Sequence, residues 1–346
     1  MLDKSIFKVQ IQCTSYNHES FITDAMNGFV MQKTDFPFVA TIIDDASTDK
    51  TPETIIKYLT EFFVLDNPKV THIEEREYGQ FYFAQHKENL NCFFAVLLLR
   101  ENHHQQKKSK AVYYQEWSHS KYKAFCEGDD YWTNPCKLQK QVDYLDSHPD
   151  CTLTVHSADW EIDSIKYPYG CQEVTPKDYS VEDLIRCGGL FFSTASFVFR
   201  TELEKDRPEW RQKAGVGDFP LQIIAGLRGR VHYLPDKMCV YRYLHQGSWS
   251  FNQKSKDANV AFQKNKIEWM TMLNESTGFK YQKAIYDQLF QHFVSLFNLH
   301  EIGLWEYAQA VHKSGQKRYG RLIKDFLRIK LNPIYQFLNI FNKKKN

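Results

Sequence analysis

Apolar runs and amphipathic stretches alternate along the first part of the chain. Segments 7–14 and 38–43 are rich in apolar and β-branched residues, which predicts two buried strands. Residues 20–32 and 51–63 repeat apolar positions at helical spacing, and Pro52 fits the first turn of the second helix. This strand–helix–strand–helix order predicts a parallel sheet with helices on its faces.

The same patterns extend the prediction along the chain. Residues 101–120 are polar and predict an exposed insertion, and from about residue 252 the pattern is helical throughout. The chain has room for one large α/β domain with an appendage, or for two domains. Further helices are predicted at 86–100, 135–147, 181–186 and 218–227, and further strands at 151–160, 191–199 and 231–243.

Polar side chains stand where the predicted strands end. Tyr16 and Asn17 follow the first strand, and Asp44 and Asp45 follow the second. Parallel α/β sheets bind their ligands beyond the carboxyl ends of the strands. This edge of the sheet is therefore the expected binding site.

The segment 124–132 is the most informative of these strand ends. A short apolar run leads into Glu127, Asp129 and Asp130, three carboxylates within four residues. Neighbouring carboxylates repel one another, so a cation is expected to offset them. A hard divalent ion that also holds phosphate oxygens would suit this set. The alternative is a plain acidic turn after a strand.

Taken together, these segments resemble the family 2 glycosyltransferases with the GT-A fold. The resemblance covers roughly residues 5–250 and implies an α/β fold, with a mostly parallel, Rossmann-like sheet flanked by helices and a helical C-terminal extension. It divides the chain into a glycosyltransferase domain at 1–250 and a helical region at 251–346. The matching stretches, in the order of the family, are 13–19 (CTSYNHE), 43–51 (IDDASTDKT), 88–90 (ENL), 127–132 (EGDDYW), 217–221 (GDFPL) and 241–250 (YRYLHQGSWS).

The resemblance implies a site for the nucleotide of a sugar donor. Tyr16, in the same stretch as Asn17, would lie against the base, and Asp45 would accept the imino N–H of the base. Asp44 is the less certain neighbour. Without the family, a core aromatic at Tyr16 and a helix N-cap at Asp45 remain open interpretations.

The resemblance also implies a metal site for Mn²⁺ or Mg²⁺. Asp129 would be the direct ligand and Asp130 would assist, while Glu127, where the family commonly has Asp, would approach the ribose or a metal-bound water. His245 would supply a further ligand and favour Mn²⁺. A surface histidine is an equally open interpretation of His245.

Asp218 stands where the family carries its catalytic base, although Gly217 replaces the acidic residue that often precedes it. A base at this position implies transfer with inversion. A helix N-cap is the alternative interpretation of Asp218. Trp132 and Trp249 are expected on the acceptor side, where their rings could stack on sugars, although buried packing is the commoner role of tryptophan.

The function implied is that of an inverting hexosyltransferase-like enzyme in cell-surface polysaccharide synthesis. It would move a sugar from a nucleotide-sugar, with a UDP-sugar expected, to a saccharide or lipid-linked acceptor. One alternative is a catalytically degenerate homologue that only binds nucleotide-sugars. The other, a sugar nucleotidyltransferase, is disfavoured because residues 15–21 contain no glycine, lysine or arginine to hold a triphosphate.

Charge and cysteine content bear on the partners of the protein and on its location in the cell. Residues 317–346 carry nine Lys/Arg against one Asp, a local charge of +8, so the rest of a chain of net charge +2 stands near −6. An acidic body without a basic–aromatic stripe disfavours nucleic acid as a partner. Eight scattered cysteines, and a start without a signal-peptide pattern, predict a cytoplasmic protein with free thiols.

The basic tail has an apolar helical face, with Pro333 expected to divide it. It would bind an anionic membrane surface from the cytoplasmic side, or pack on the catalytic domain. The residues that form the apolar face are Leu322, Ile323, Phe326, Leu327 and Ile329.

Overall fold

A computed structural model of the chain describes residues 4–117, 119–243 and 255–313. The strands are β1 (Val9–Ser15), β2 (Phe38–Asp44), β3 (Thr71–Arg76), β4 (Gly79–Gln85), β5 (Cys92–Leu99), β6 (Tyr122–Phe125), β7 (Tyr131–Trp132), β8 (Cys151–Ile162), β9 (Ile165–Tyr169), β10 (Lys177–Tyr179), β11 (Val198–Arg200) and β12 (Arg230–Arg242). The α-helices are α1 (Ile22–Val30), α2 (Thr51–Phe62), α3 (Ala111–Gln115), α4 (Lys137–Ser147), α5 (Val181–Cys187), α6 (Glu209–Lys213), α7 (Asp218–Arg228), α8 (Lys256–Ser276), α9 (Gln282–Asn298) and α10 (Leu304–Lys313).

One large sheet organises the strands, in the order β10-β12-β8-β11-β6-β1-β2-β5-β4-β3, with β7 against β12 and β9 against β8. Its centre, β6-β1-β2-β5, is parallel, as is the β8–β12 pair. The pairs around these are antiparallel. The α/β fold class is confirmed, but the sheet is mixed rather than mostly parallel.

The parallel centre is buried on both faces, which explains its apolar sequence. Along β2, Phe38, Ala40 and Ile42 pack into one core with α1 and α2, and Val39 and Ile43 pack into a second core on the other face. A strand buried on both faces has no polar side and so loses the alternation of a half-buried strand.

The helix predicted at 86–100 is wrong, because β5 occupies most of this segment. Its eight residues are apolar and buried at seven positions, so the sequence carries neither helical nor alternating periodicity. The strand predicted at 191–199 is present only as β11, at its end. The hairpin of β3 and β4 was not predicted, since β3 is largely exposed and polar.

The chain divides into two compact units. The first comprises Met1–Ser180, Gly189–Asp206 and Leu221–Phe251 and contains the sheet. The second comprises Val181–Gly188, Arg207–Pro220 and Asn252–Asn346, and its described residues form helices and connecting loops without a strand. The domain boundary at residue 250 stays a prediction.

Two further properties of the chain bear on the predictions. The eight cysteines are free, as predicted, and six of them are buried. No helix in the described residues is long and apolar enough to cross a membrane.

Candidate functional site

Strand β1 lies at the switch point of the sheet, where the order in which strands are added reverses from one side of β1 to the other. It pairs in parallel with β2 on one side and with β6 on the other. Loops that leave neighbouring parallel strands at such a reversal diverge and form a crevice. The three sequence-predicted strand ends, at 16–17, 44–45 and 127–130, are therefore at one edge of the sheet.

The loops after β1 and β2 are bound to each other through Asn17. Its amide oxygen accepts the N–H of Thr48 at 2.8 Å, and its own N–H donates to Ser47 Oγ at 2.8 Å. Asn17 has a φ of 56°, in the left-handed region that Asn tolerates better than most residues. The side chain of Asn17 therefore positions the second loop, and Tyr16, half-buried, precedes it at the crevice.

Acidic side chains complete this connection. The N–H of Lys50 donates to Glu19 Oε2 at 2.8 Å, and the N–H of Glu19 donates to Asp49 Oδ2 at 3.1 Å. The N–H of His18 donates to Thr51 Oγ1 at 2.8 Å. Such reciprocal bonds satisfy main-chain donors that helix starts leave open, and they make the two loops one rigid wall.

Asp44 is committed to a local turn. Its carboxyl accepts the N–H of Ser47 at 3.0 Å and the Ser47 hydroxyl at 2.5 Å, and the residue is 1% exposed. Burial raises its pKa to about 6, although the two hydrogen bonds from Ser47 act to lower that pKa. Asp44 shapes the loop that carries Asp45.

Asp45 is held by the polar insertion that follows β5. Its carboxylate accepts the N–H groups of His103 at 2.8 Å and His104 at 3.1 Å, and the Lys110 ammonium at 2.7 Å. Burial alone would raise the pKa of Asp45, but Lys110 and the two N–H groups outweigh it and lower that pKa. An ionised carboxylate with four acceptor positions keeps one for a further donor.

Glu127 is the first acid of the third strand end. One of its oxygens accepts the N–H of Thr14 at 3.2 Å. Burial of the carboxyl and the nearby Asp129 raise the pKa of Glu127 to about 7, although the residue keeps exposed surface. Gly128 follows because a Cβ there would lie 2.9 Å from both His18 Nδ1 and Ser15 Oγ.

Asp129 and Asp130 point to different surroundings. Asp129 Oδ2 lies 3.8 Å from His18 Nε2, and its side chain is 16% exposed. Asp130 is 2% exposed and accepts the N–H of Arg242 at 2.9 Å. Burial and Asp129 raise the pKa of Asp130 well above its usual range.

Arg242 ties the acidic turn to its surroundings. Its guanidinium donates to the carbonyl of Asp129 at 2.9 Å and lies over the rings of Tyr131 and Phe21, at 4.4 and 4.9 Å from their centres. It also forms an ion pair with Asp24 in the first turn of α1. The main chain around Asp129 is therefore fixed independently of any ligand.

The acidic turn fits a hard divalent cation that is shared with a diphosphate. No group of three or more His, Cys, Asp or Glu side chains within 4–117, 119–243 and 255–313 has the geometry of a metal centre. A Mg²⁺-type site in nucleotide enzymes needs only one or two carboxylates, because phosphates and water complete the shell. Asp129, the more exposed of the two adjacent aspartates, fits that role. After burial, its charge is the next cause of the raised pKa values of Glu127 and Asp130, and a cation at Asp129 would offset that repulsion.

Trp132 does not lie at the crevice. Its side chain is 1% exposed, its ring nitrogen donates to the carbonyl of Ala195 at 2.9 Å, and its ring packs edge-on against Phe29. The Lys137 ammonium lies 4.0 Å from the centre of the same ring. This corrects the expectation for Trp132, because a covered ring has no face for an acceptor sugar.

Three predicted site residues remain to be placed. Asp218 begins helix α7 and is half-buried in the second compact unit. His245 and Trp249 lie outside the described residues.

Three residues of the site were not predicted. His18 was visible within the first motif but received no role, and it lies beside Asp129. Lys110 and Arg242 reach Asp45 and Asp129 from 65 and 113 residues away along the chain. Arg242 stands in the last matching stretch but, like His18, received no role, and no local pattern marks Lys110.

Comparison with known proteins identifies the fold. No family model matches the chain. The structure of residues 1–349 of S. aureus TarS with UDP-GlcNAc matches 92% of this chain and 81% of its own, with a TM-score of 0.55 and 18% identity. The longer TarS structure matches 91% of this chain and 50% of its own, with a TM-score of 0.54. The chain has a GT-A-like glycosyltransferase fold.

The sequence relatives are close but uninformative about activity. Uncharacterized proteins of Mycobacterium bovis and Mycobacterium tuberculosis are 31% identical over 247 residues, which is 70% of this chain. The match spans 60% of the length of these relatives.

Proposed function

We propose that this chain is an inverting glycosyltransferase that uses a nucleotide-sugar donor. The observation that carries the proposal is the meeting of three loops at one edge of the sheet, those of Tyr16–Asn17, Asp44–Asp45 and Glu127–Asp130, within a GT-A-like fold. TarS is described with UDP-GlcNAc and with UDP, which supports a UDP-sugar as the donor. A saccharide or lipid-linked saccharide is the proposed acceptor, in cell-surface polysaccharide synthesis.

In this proposal the rigid wall of the first two loops holds the nucleoside. Tyr16 covers the base, and the remaining acceptor position of Asp45 takes an N–H from it. Asn17 and Asp44 contribute by holding the loops, as their hydrogen bonds indicate. Glu127, at the third strand end, is placed toward the ribose.

A Mn²⁺ or Mg²⁺ ion would be held by Asp129, with Asp130 and Glu127 adding negative charge nearby. When bound, such an ion stabilises the charge that builds on the departing diphosphate. His18, beside Asp129, is proposed to limit where that carboxylate can turn.

Asp218 is the proposed base. A carboxylate that takes the proton of the acceptor hydroxyl makes the oxygen a better nucleophile as it attacks the anomeric carbon. The hydroxyl proton passes to Asp218, the new glycosidic bond forms, and the bond to the β-phosphate breaks. Attack opposite the leaving group inverts the anomeric configuration.

A screen of nucleotide-sugars tests the proposal. We expect one UDP-sugar to raise the unfolding temperature in Mn²⁺ or Mg²⁺ and not in excess chelator. NMR of the product formed from that donor should then show an inverted anomeric centre. Stabilisation without any transfer would instead favour the binding-only homologue, and a retained configuration would refute the inverting assignment.

A further inference from the structure

Helix α8 contacts the segment that leads to Asp218 through one polar side chain. Asn265 Oδ1 accepts the N–H of Gly215 at 3.0 Å, and Asn265 Nδ2 donates to the carbonyl of Lys213 at 2.9 Å. A single amide thus satisfies a main-chain donor and an acceptor two residues apart. Such a bidentate contact fixes the path of the main chain three residues before Asp218.

Aromatic packing fixes the same segment one helical turn further along α8. Trp269 is 1% exposed and packs edge-on against Phe219, with 5.5 Å between ring centres. On the other side it lies nearly parallel to Trp210 at 5.9 Å. Since Asn265 and Trp269 are four residues apart, they lie on one face of the helix. That face therefore holds the segment on both sides of residues 213–218.

Lys266, next to Asn265, brings a buried positive charge to this segment. It is 8% exposed, and its ammonium lies 5.0 Å from the centre of the Phe219 ring. Burial lowers its pKa to about 8, and the Asp218 carboxylate acts in the opposite direction. His292, which is also nearby, adds no positive charge of its own. Burial, and then Lys266, lower its pKa to about 3 and keep it neutral.

Helix α9 orients this ammonium. With its amide turned so that both ends are satisfied, Gln288 accepts from Lys266 Nζ at 3.0 Å and donates to the carbonyl of Arg186 at 2.9 Å. Gly188, with a φ of 76°, permits this approach, because a Cβ there would lie 2.6 Å from the end of the Gln288 amide.

We propose that helix α8 positions the catalytic base, with Asn265 fixing the main chain before Asp218 and Lys266 adding a buried positive charge to that segment. Arg211 is a further cation of this segment and donates to the carbonyl of Val216 at 3.3 Å. The inference rests on the proposed function, in which Asp218 takes the acceptor proton. It makes the helical C-terminal region a part of the catalytic apparatus. A nearby ammonium keeps a carboxylate ionised at neutral pH, so that it can accept a proton.

The Asn265→Ala variant tests the positioning. Hydrogen exchange at the amides of 213–219 should become faster, since the acceptor of the Gly215 N–H is lost. Transfer should fall about tenfold in kcat, while the affinity for UDP stays within twofold of wild type, because a base out of place affects the reaction rather than donor binding. Faster exchange with unchanged kcat, or unchanged exchange, would overturn the role of Asn265.

The Lys266→Met variant tests the effect of the Lys266 charge on Asp218. The acidic limb of the kcat profile should move to higher pH, since a carboxylate that loses a nearby positive charge protonates more easily. Lys266→Arg should keep the limb near its wild-type position. Lys264→Met is the matched control, because Lys264 lies on the same helix but is exposed and paired with Glu301. A Lys266→Met profile identical to that of wild type or of Lys264→Met would overturn the role of Lys266.

A failure of this inference can be told from a failure of the proposed function. If Asp218→Asn is inactive with normal UDP affinity while Asn265→Ala and Lys266→Met match wild type, only the role of α8 is refuted. If Asp218→Asn retains turnover, the base lies elsewhere and the inference is refuted with it.

Discussion

Lys110 donates a hydrogen bond to Asp45 at 2.7 Å, although 65 residues separate them in the chain. The bond joins the polar insertion to the loop that is proposed to hold the base. Asp45 is only 1% exposed beneath that insertion, while the Lys110 side chain is 18% exposed. A base N–H that takes the remaining acceptor position of Asp45 therefore shares the carboxylate with the Lys110 ammonium, whose charge weakens it as an acceptor.

We accordingly expect Lys110→Met to bind UDP about three- to tenfold more tightly than wild type. The substitution removes the positive charge that weakens the carboxylate as an acceptor, while the N–H groups of His103 and His104 still stabilise it. Titration calorimetry with UDP and Mn²⁺ measures the change. Lys108→Met is the control, because Lys108 lies in the same insertion but is exposed and paired with Glu101. Weaker binding by Lys110→Met would mean that the ammonium orders the site instead.

Asp129→Ala should abolish metal-dependent UDP binding and leave the protein folded. The unfolding temperature should equal or exceed that of wild type, because Asp129 raises the pKa values of both Glu127 and Asp130 and its loss relieves that repulsion. Calorimetry with UDP, with Mn²⁺ and then with chelator, checks the binding, and thermal unfolding checks the stability.

Asp236, which is half-buried and pairs with Lys140, provides a control for Asp129→Ala. Asp236→Ala removes a carboxylate of the same unit and should keep metal-dependent binding. Full transfer by Asp129→Ala, or by wild type in excess chelator, would refute the metal mechanism.

Asp218→Asn should lower turnover by about 10²-fold or more, because it removes the proton acceptor at nearly unchanged shape. UDP affinity should survive, since Asp218 is assigned to the acceptor and not to the donor. Steady-state transfer assays with the donor from the screen, paired with UDP titration, separate the two effects. Near-normal turnover would return Asp218 to a helix-capping role.

The site shows where sequence patterns suffice and where they do not. The strand ends at Tyr16, Asp44 and Glu127 were located correctly, because apolar runs followed by polar residues mark the carboxyl ends of buried strands. Strand β5 was missed for the related reason that burial on both faces removes its periodicity. Trp132 was placed wrongly because one sequence cannot distinguish an aromatic ring at a crevice from one in the core.

Sequence patterns do not show which residues contact one another across long separations in the chain. Lys110 and Arg242 contact the site across 65 and 113 residues, and only the fold brings them there. Lys137 is a further case, since a lysine at the start of an amphipathic helix is ordinarily exposed, yet this one is fully buried.

Lys137 should make stability depend on pH. Burial lowers its pKa to about 7 from an ordinary value of 10.5, so between pH 7 and about 10 the unfolded chain binds a proton that the folded one does not. As pH rises across that window, the contribution of Lys137 to the free energy of unfolding therefore rises by up to about 4 kcal/mol. Below pH 7, burying the charged Lys137 lowers the free energy of unfolding by that full amount. Lys137→Met should be more stable than wild type at pH 6.5, with a difference that shrinks by pH 9.5.

Denaturant unfolding of both proteins at several pH values measures this difference. Lys140→Met is the matched control, because Lys140 lies on the same helix but is exposed and paired with Asp236, and exposed pairs contribute little. A difference that grows with pH, or a Lys137→Met protein less stable at every pH, would show that the Lys137–Gln141 hydrogen bond outweighs the cost of burial.

The last prediction concerns the tail at 317–346, which lies outside the described residues and rests on sequence alone. Nine basic residues among an apolar helical pattern suit an anionic leaflet, with about 1 kcal/mol of attraction for each basic residue near the surface. We expect the full chain to sediment with phosphatidylserine vesicles at low salt and to lose this on truncation after Gly320, with UDP binding unchanged. Replacing Lys343, Lys344 and Lys345 with Gln should weaken sedimentation in part, because the charge falls while the apolar face remains. If the full chain does not sediment, or if the truncation unfolds the sheet-containing unit, the tail packs on the protein and has no membrane role.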